Sequence, residues 1–350
     1  MTLERPDLSQ LSPEIKAYIE ALEAELNQLR EAKPEQSSKT GPVDLPLEPS
    51  EPPTTINIIT VSREGQIKRT PRHLYSRQRR GGMGIFDLEL PESDPPTGLV
   101  AVDLTEVLLV VTNQARAFRL PVEKIPESPV RSRGKALDQW LDLNKEEQVS
   151  LVLPIQTSGY ANIVTQRGHV RRFRYHIFKE SMVPGTPLYD LRELGPPMAA
   201  CWGPGDADLL IATRQGRAIR FDEQQVSTRG CLGIRLDGED QVVAIATVTN
   251  RSRVFLLSAD GKGIIRHMSG FSPNKAPGSG GKIALKSDHL VTALTVNPFD
   301  DLFVISRLSK IIRFQASEVS TTEGVVQGVN CIALRADEVV AAGNSLSLTV

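Results

Sequence analysis

The chain has 350 residues, 40% hydrophobic and only 5% aromatic, with 41 Lys/Arg, 42 Asp/Glu and a formal net charge of −1. That length suffices for one large core or two domains. No apolar run reaches the roughly 18 residues needed to cross a bilayer, and Met1–Gln10 is charged and lacks the apolar stretch of a signal peptide. The near-zero charge hides a segregation: residues 1–53 hold 11 acids and 5 bases, the remainder 31 acids and 36 bases. Cys201, Cys231 and Cys331 are isolated and odd in number. They suggest neither a disulfide framework nor a zinc site, and they read as small buried hydrophobes of a cytoplasmic protein.

In chain order, Ser12-Pro13-Glu14 is a helix start, with an N-cap serine, proline at the first helical position and an acid in the first turn. Ile15, Ile19, Leu22, Leu26 and Leu29 follow at spacings of 4, 3, 4 and 3, one apolar stripe on a helix. Residues 1–32 therefore read as an amphipathic helical segment. It serves either to dock on a partner or on a second copy, or to fold back on its own protein. Residues 33–53 carry six prolines, several acids and few apolar groups, the composition of a linker.

From Thr54 to about residue 346 the chain repeats. Each unit has an apolar run ending in Ser or Thr, two residues, usually a glycine, then a strand ending in a base. The anchors are Ser62, Thr112, Thr165, Thr213, Ser258 and Ser306, spaced by 50, 53, 48, 45 and 48 residues. Each unit predicts a β-hairpin. A second element follows, as in Gly233-Ile234-Arg235-Leu236, Gly281-Lys282-Ile283-Ala284-Leu285 and Gly328-Val329-Asn330-Cys331-Ile332, each trailed by an aspartate (Asp240, Asp288, Asp337) that reads as turn-forming. A period of 40–50 residues with about four strands predicts an all-β, six-bladed propeller. Closure of the ring explains how so strand-rich a chain protects its edges; unrelated hairpins in two sandwiches would not keep six anchors in register.

The most distinctive stretch lies in the first unit, Gln78-Arg79-Arg80-Gly81-Gly82-Met83-Gly84. From Arg63 to Arg80 there are seven Lys/Arg and one acid, Glu64, where a solvated surface would mix both signs. The seven residues resemble the gyrase-A box, Gln-Arg/Lys-Arg-Gly-Gly-Arg/Lys-Gly, of the C-terminal DNA-wrapping domain of the gyrase and topoisomerase IV A subunits. They match at six positions and depart at Met83, where that family has a cation. The repeat resembles the same domain over residues 54 to about 345. The resemblance implies a β-pinwheel, a propeller whose strands cross between neighbouring blades, with a basic rim around which duplex DNA bends.

On this reading the DNA-binding residues are Lys68, Arg69, Arg72, Arg77, Gln78, Arg79, Arg80, Gly81, Gly82 and Gly84 of the first unit, Arg119, Arg131, Arg133 and Lys135 of the second, Arg171, Arg172 and Arg174 of the third, and Arg217 and Arg220 of the fourth. Such cations supply salt-dependent affinity without reading sequence, and no recognition helix is evident. The sixth unit is poor in bases, and with Met83 this predicts contact over the first four blades and incomplete wrapping. Catalysis finds no support: Gly278-Ser279-Gly280-Gly281-Lys282 lacks both the first glycine and the Ser/Thr of a phosphate loop, and the five histidines are scattered. No cofactor or metal is implied. With only 53 residues before the ring, too few for a strand-cleaving domain, the chain is expected to act as a nucleoid-associated accessory protein beside a type II topoisomerase core. The rival reading is a propeller scaffold for proteins that has lost DNA binding.

Overall fold

The computed structural model describes Ile15, Lys16, Ile19, Glu20 and residues 51–345. The chain divides into two compact units, 1–47 and 48–350. Of the first, the four described residues are helical, and Ile15 is half exposed. The rest of the expected helix, and residues 33–50 of the expected linker, lie outside the described residues.

The second unit is a six-bladed propeller. Its blades are built on the hairpins Ile56–Ser62/Gln66–Pro71, Val107–Thr112/Arg116–Pro121, Tyr160–Thr165/His169–Arg174, Asp208–Thr213/Arg217–Asp222, Arg253–Ser258/Lys262–His267 and Asp301–Ser306/Lys310–Gln315, numbered blades 1 to 6. The third strand of each blade (Pro96–Asp103, Val149–Pro154, Pro197–Gly203, Val242–Val248, Leu290–Val296 and Val339–Ser345) pairs with the first hairpin strand and lines a central channel of about 650 Å³. Six apolar clusters fill the six gaps between neighbouring blades.

The fourth strand of every blade comes from the next one. Lys135–Ala136 pairs with the blade 1 hairpin, Thr186–Pro187 with blade 2, Cys231–Leu232 with blade 3, Lys282–Ile283 with blade 4 and Val329–Asn330 with blade 5. Ile85–Phe86 of blade 1 pairs with blade 6 and closes the ring. These two-residue strands cap hairpin edges that would otherwise be open templates for aggregation.

The anchors have a common backbone role. At Ser62, Thr112, Thr165, Thr213, Ser258 and Ser306 the ladder to the inner strand slips by one residue, a β-bulge. Three residues further on, the turn takes a left-handed conformation at Gly65, Ala115, Gly168, Gly216, Gly261 and Ser309. The carbonyl of that residue accepts a bond from the exchanged segment: from Leu137, Leu188, Gly233, Ala284, Cys331 and Asp87 respectively. The turn is further held by a carboxylate. Asp94 accepts Glu64 N–H at 2.8 Å, Asp240 accepts Gln215 N–H at 3.0 Å and Asp337 accepts Leu308 N–H at 3.1 Å.

A second glycine precedes each exchanged strand: Gly84, Gly134, Gly185, Gly230, Gly281 and Gly328. A Cβ at Gly84, Gly134, Gly230, Gly281 or Gly328 would come within 2.6–2.7 Å of a backbone carbonyl of the hairpin it caps. The sequence pattern groups Gly233 with Gly281 and Gly328, whereas the pairing makes Gly230 their equivalent. The difference arises because Gly233 also packs tightly, its Cβ position lying 2.6 Å from Ile211.

Gly216→Ala tests the turn geometry: φ is +73° and the new Cβ would lie 2.3 Å from Leu285 O. The substitution is expected to cost about 1–3 kcal/mol, read as a lower urea midpoint.

Candidate nucleic-acid interface

The box spans the seam where the ring closes. Gln78 N–H donates to Arg313 O at 2.8 Å and Gly81 N–H to Cys331 O at 2.8 Å, while Gly82 O accepts Ala333 N–H at 2.8 Å. All three partners belong to blade 6. Gly81 has φ +79°, and a Cβ at Gly84 (φ +67°) would sit 2.7 Å from Ile311 O. Arg80 is exposed but leans on blade 6, its Nε donating to Glu318 O at 2.7 Å and its Nη1 to Asn330 O at 3.1 Å. Arg79 and Met83 are exposed. The last glycine of the box belongs to the sixfold repeat, so the features particular to blade 1 are Gln78 to Gly82.

The seam has the smallest apolar cluster, with seven buried residues where the other gaps have ten to fifteen. Charges supplement it. Asp301, fully buried, accepts from Arg313 and from Arg77, the latter at 2.8 Å. Glu51 bridges Arg72 of blade 1 at 2.8 Å and Arg313 of blade 6 at 2.7 Å. Burial raises the Glu51 pKa, but hydrogen bonds and charge from Arg313 and Arg72 outweigh it and hold the carboxyl below its ordinary 4.5. Beside this set, buried Asp87 accepts from Lys68, from Tyr75 Oη at 2.6 Å and from Thr60 Oγ1 at 2.8 Å. Burial draws the Lys68 ammonium below its ordinary pKa, with Asp87 opposing, and pushes the Tyr75 phenol well above its own.

These contacts correct part of the expected rim. Lys68, Arg69, Arg72 and Arg220 are buried and committed to protein partners, so none is placed to meet a phosphate. Five arginines lie seven residues beyond their anchors: Arg69, Arg119, Arg172, Arg220 and Arg313. Each reaches into the next blade and donates to carbonyls of the short 3-10 turn after that blade's hairpin. Arg69 Nε meets Ile125 O at 2.6 Å, and Arg119 meets Phe178 O. Arg172 meets Glu223 O at 3.4 Å, Arg220 meets Met268 O at 2.9 Å, and Arg313 meets Tyr75 O at 2.9 Å. A guanidinium suits this role because its fork satisfies several carbonyls left unpaired at a turn end. Blade 5 has Ile265 at this place, and backbone pairing of Ile265 with Thr321 makes the joint to blade 6. Arg217 similarly donates to the carbonyls of Gly280 and Gly281 at 2.8 and 3.0 Å, and half-buried Arg171 points to Leu188 O and Thr228 O.

One set of exposed cations lies on the segments that lead to or form the exchanged strands along the outer edge of the sheets, while others, such as Arg63, Arg192, Arg214 and Arg307, lie off them. Blade 1 offers Arg79, with Arg80 beside it; blade 2 offers Arg133 and Lys135, and Arg131, which pairs with Glu89 at 3.1 Å; blade 3 offers Lys179; blade 4 offers Arg229; blade 5 offers Lys275 and Lys282. Blade 6 has no base in residues 319–328 and carries Glu323. Arg174 is exposed at the end of a blade 3 strand. Lys179, Arg229, Lys275 and Lys282 fall outside the set of DNA-binding residues expected from sequence; the glycine directly before each exchanged strand locates the segments that carry them.

No group of three acids, histidines or cysteines among the described residues is arranged to hold a metal. The Cys201 and Cys331 thiols are pushed up to about 12 by burial, and Cys231 is raised for the same reason. No helix among the described residues is long and apolar enough to cross a membrane.

Fold and rim together define a strand-exchanged β-propeller with a basic outer edge. The family model of the DNA gyrase C-terminal domain, β-propeller, matches residues 57–94, 106–156, 207–249 and 300–343, half of the chain. The chain belongs to that family. It is 28% identical to the DNA gyrase A protein of Kosmotoga olearia over 342 residues, covering 93% of this chain and 42% of that protein. It is 27% identical to the DNA gyrase A protein of Staphylococcus aureus, covering 81% of this chain and 34% of that protein. The chain thus spans about two fifths or less of the length of these relatives. In structure it is similar to a DNA gyrase A C-terminal domain (TM-score 0.71, 20% identity, 83% of this chain and 99% of that one) and to the C-terminal domain of a DNA topoisomerase IV (TM-score 0.59, 18% identity, 83% and 93%).

Two outcomes separate clasp from rim and test the seam. Arg220→Met is expected to destabilise the fold by about 3 kcal/mol, because Asp208 and two carbonyls lose their partner; the urea midpoint reads this. The contribution of Glu51, whose folded pKa is depressed, is complete above its ordinary 4.5 and lost as pH falls through the lower folded value. The gap in urea midpoint between wild type and Glu51→Gln should therefore be constant above about pH 5 and shrink below about 4.5.

Proposed function

We propose that this propeller binds duplex DNA along its outer rim, by phosphate contacts without base reading, and bends the duplex around blades 1 to 5. The observation that carries this is the run of exposed cations on successive exchanged segments, Arg79, Arg131, Arg133, Lys135, Lys179, Arg229, Lys275 and Lys282. A curved row of fixed cations favours bent DNA and offsets an elastic cost of order 1–6 kcal/mol per 20–30 bp. The central channel, at about 650 Å³, is far too small for a duplex, which leaves the outside. In blade 6 the segment 319–328, with Glu323 and no base, marks where the track ends, so wrapping is partial. Membership of the gyrase A C-terminal family supports a role as the non-catalytic, DNA-wrapping part of a type II topoisomerase, with the cleavage core as partner.

Binding of a linear duplex across a salt series tests this. A log–log slope of about −4 or steeper is expected. Arg133→Glu and Arg79→Glu should each weaken binding and flatten the slope by about one unit or more, with an unchanged urea midpoint because both side chains are exposed. Absence of binding at low salt would overturn the proposal and favour a protein-binding scaffold.

A further inference from the structure

One rim position differs in chemistry from blade to blade. Two residues before each exchanged strand, next to the sixfold glycine, stand Met83, Arg133, Pro184, Arg229, Gly280 and Gln327. In blades 2 and 4 this position presents an exposed arginine. In blade 1 it presents Met83, whose residue surface is 57% exposed. A lone exposed apolar side chain is ordinary, but this one is neither lone nor loosely held. Its backbone is fixed on both sides, by the Gly82 carbonyl accepting from Ala333 and by Gly84 pressed on Ile311. Phe86, three residues on, is 51% exposed, with the Arg131 guanidinium 5.6 Å and the Lys310 ammonium 5.5 Å from its ring centroid. A thioether and a ring thus stand beside Arg79, Arg80, Arg131 (paired with Glu89 at 3.1 Å) and Lys310, at a position where blades 2 and 4 present an arginine.

We propose that Met83, with Phe86 three residues on, is an apolar wedge that enters a base step of the rim-bound duplex at the ring seam and unstacks it. This rests on the DNA-binding reading above. Proteins that bend DNA by insertion use such side chains, flanked by cations that hold the adjoining phosphates. Met is unbranched and polarisable, suited to sliding between bases of any sequence. The backbone ties to blade 6 prevent the turn from yielding when the duplex presses on it. Flexible pyrimidine–purine steps are the expected points of entry.

The test uses linear duplexes with 2-aminopurine at successive TA and CA steps, whose fluorescence rises when the base unstacks, and follows binding on the same samples. With the full chain, fluorescence at one or a few steps is expected to rise several-fold. Met83→Leu should keep most of that rise. Met83→Ala should abolish it while leaving the salt slope within one unit and the thermal midpoint unchanged. Met83→Lys should also abolish the rise but steepen the slope by about one unit, as one more phosphate is neutralised. Binding with a steep salt dependence but no rise for the wild type, or the same rise for Met83→Ala, overturns the wedge and leaves the DNA reading standing. No binding by the wild type overturns both.

Discussion

The outer edge of every hairpin in the ring must be paired. A free edge is a row of unsatisfied donors and acceptors and a template for another chain. The fold meets it with two residues lent by the following blade, docked by a glycine that lets backbone meet backbone. Five of these loans run forward along the chain. The sixth, Ile85–Phe86, joins the first blade to the last and is the one that makes a ring. The box precedes it directly, so the same residues close the ring and display charge.

Closure at that seam differs in kind from the other joints. Elsewhere, larger apolar clusters fill the gap, whereas here fewer aliphatic groups meet and an Arg–Glu–Arg–Asp set completes the joint. Apolar contacts tolerate sliding; buried charges do not, because a misplaced partner leaves a desolvated charge uncompensated. The seam is therefore fixed in register more sharply than it is strong. Rigid display of Arg79 and Met83 follows from that fixity.

Arginine serves two ends in this chain, and burial separates them. At the seventh residue past an anchor it is a clasp between blades; two residues before an exchanged strand it is a solvent-facing cation. Lys68 and Arg69 look like rim charge in the sequence, because a sequence records only that bases cluster. Their fate is decided by Asp87, Asn57 and Ile125, up to 56 residues away along the chain. Conversely, Lys179, Arg229 and Lys275 sit singly in connecting segments and Lys282 in a two-residue strand, each apart from any local run of bases.

The blades were legible in the repeat alone. Ser or Thr followed three residues later by a left-handed turn recurs at near-constant spacing, and both signals are local: a bulge, and a φ that glycine takes most readily. The poverty of bases in blade 6 was legible for the same reason. Which strand caps which edge, that Gly230 rather than Gly233 continues the glycine series, and which cations are spent inside emerge only on folding. Those outcomes depend on contacts between neighbouring blades, where the partner of each residue lies dozens to hundreds of positions away. Spacing along the chain carries no record of who will face whom across a gap.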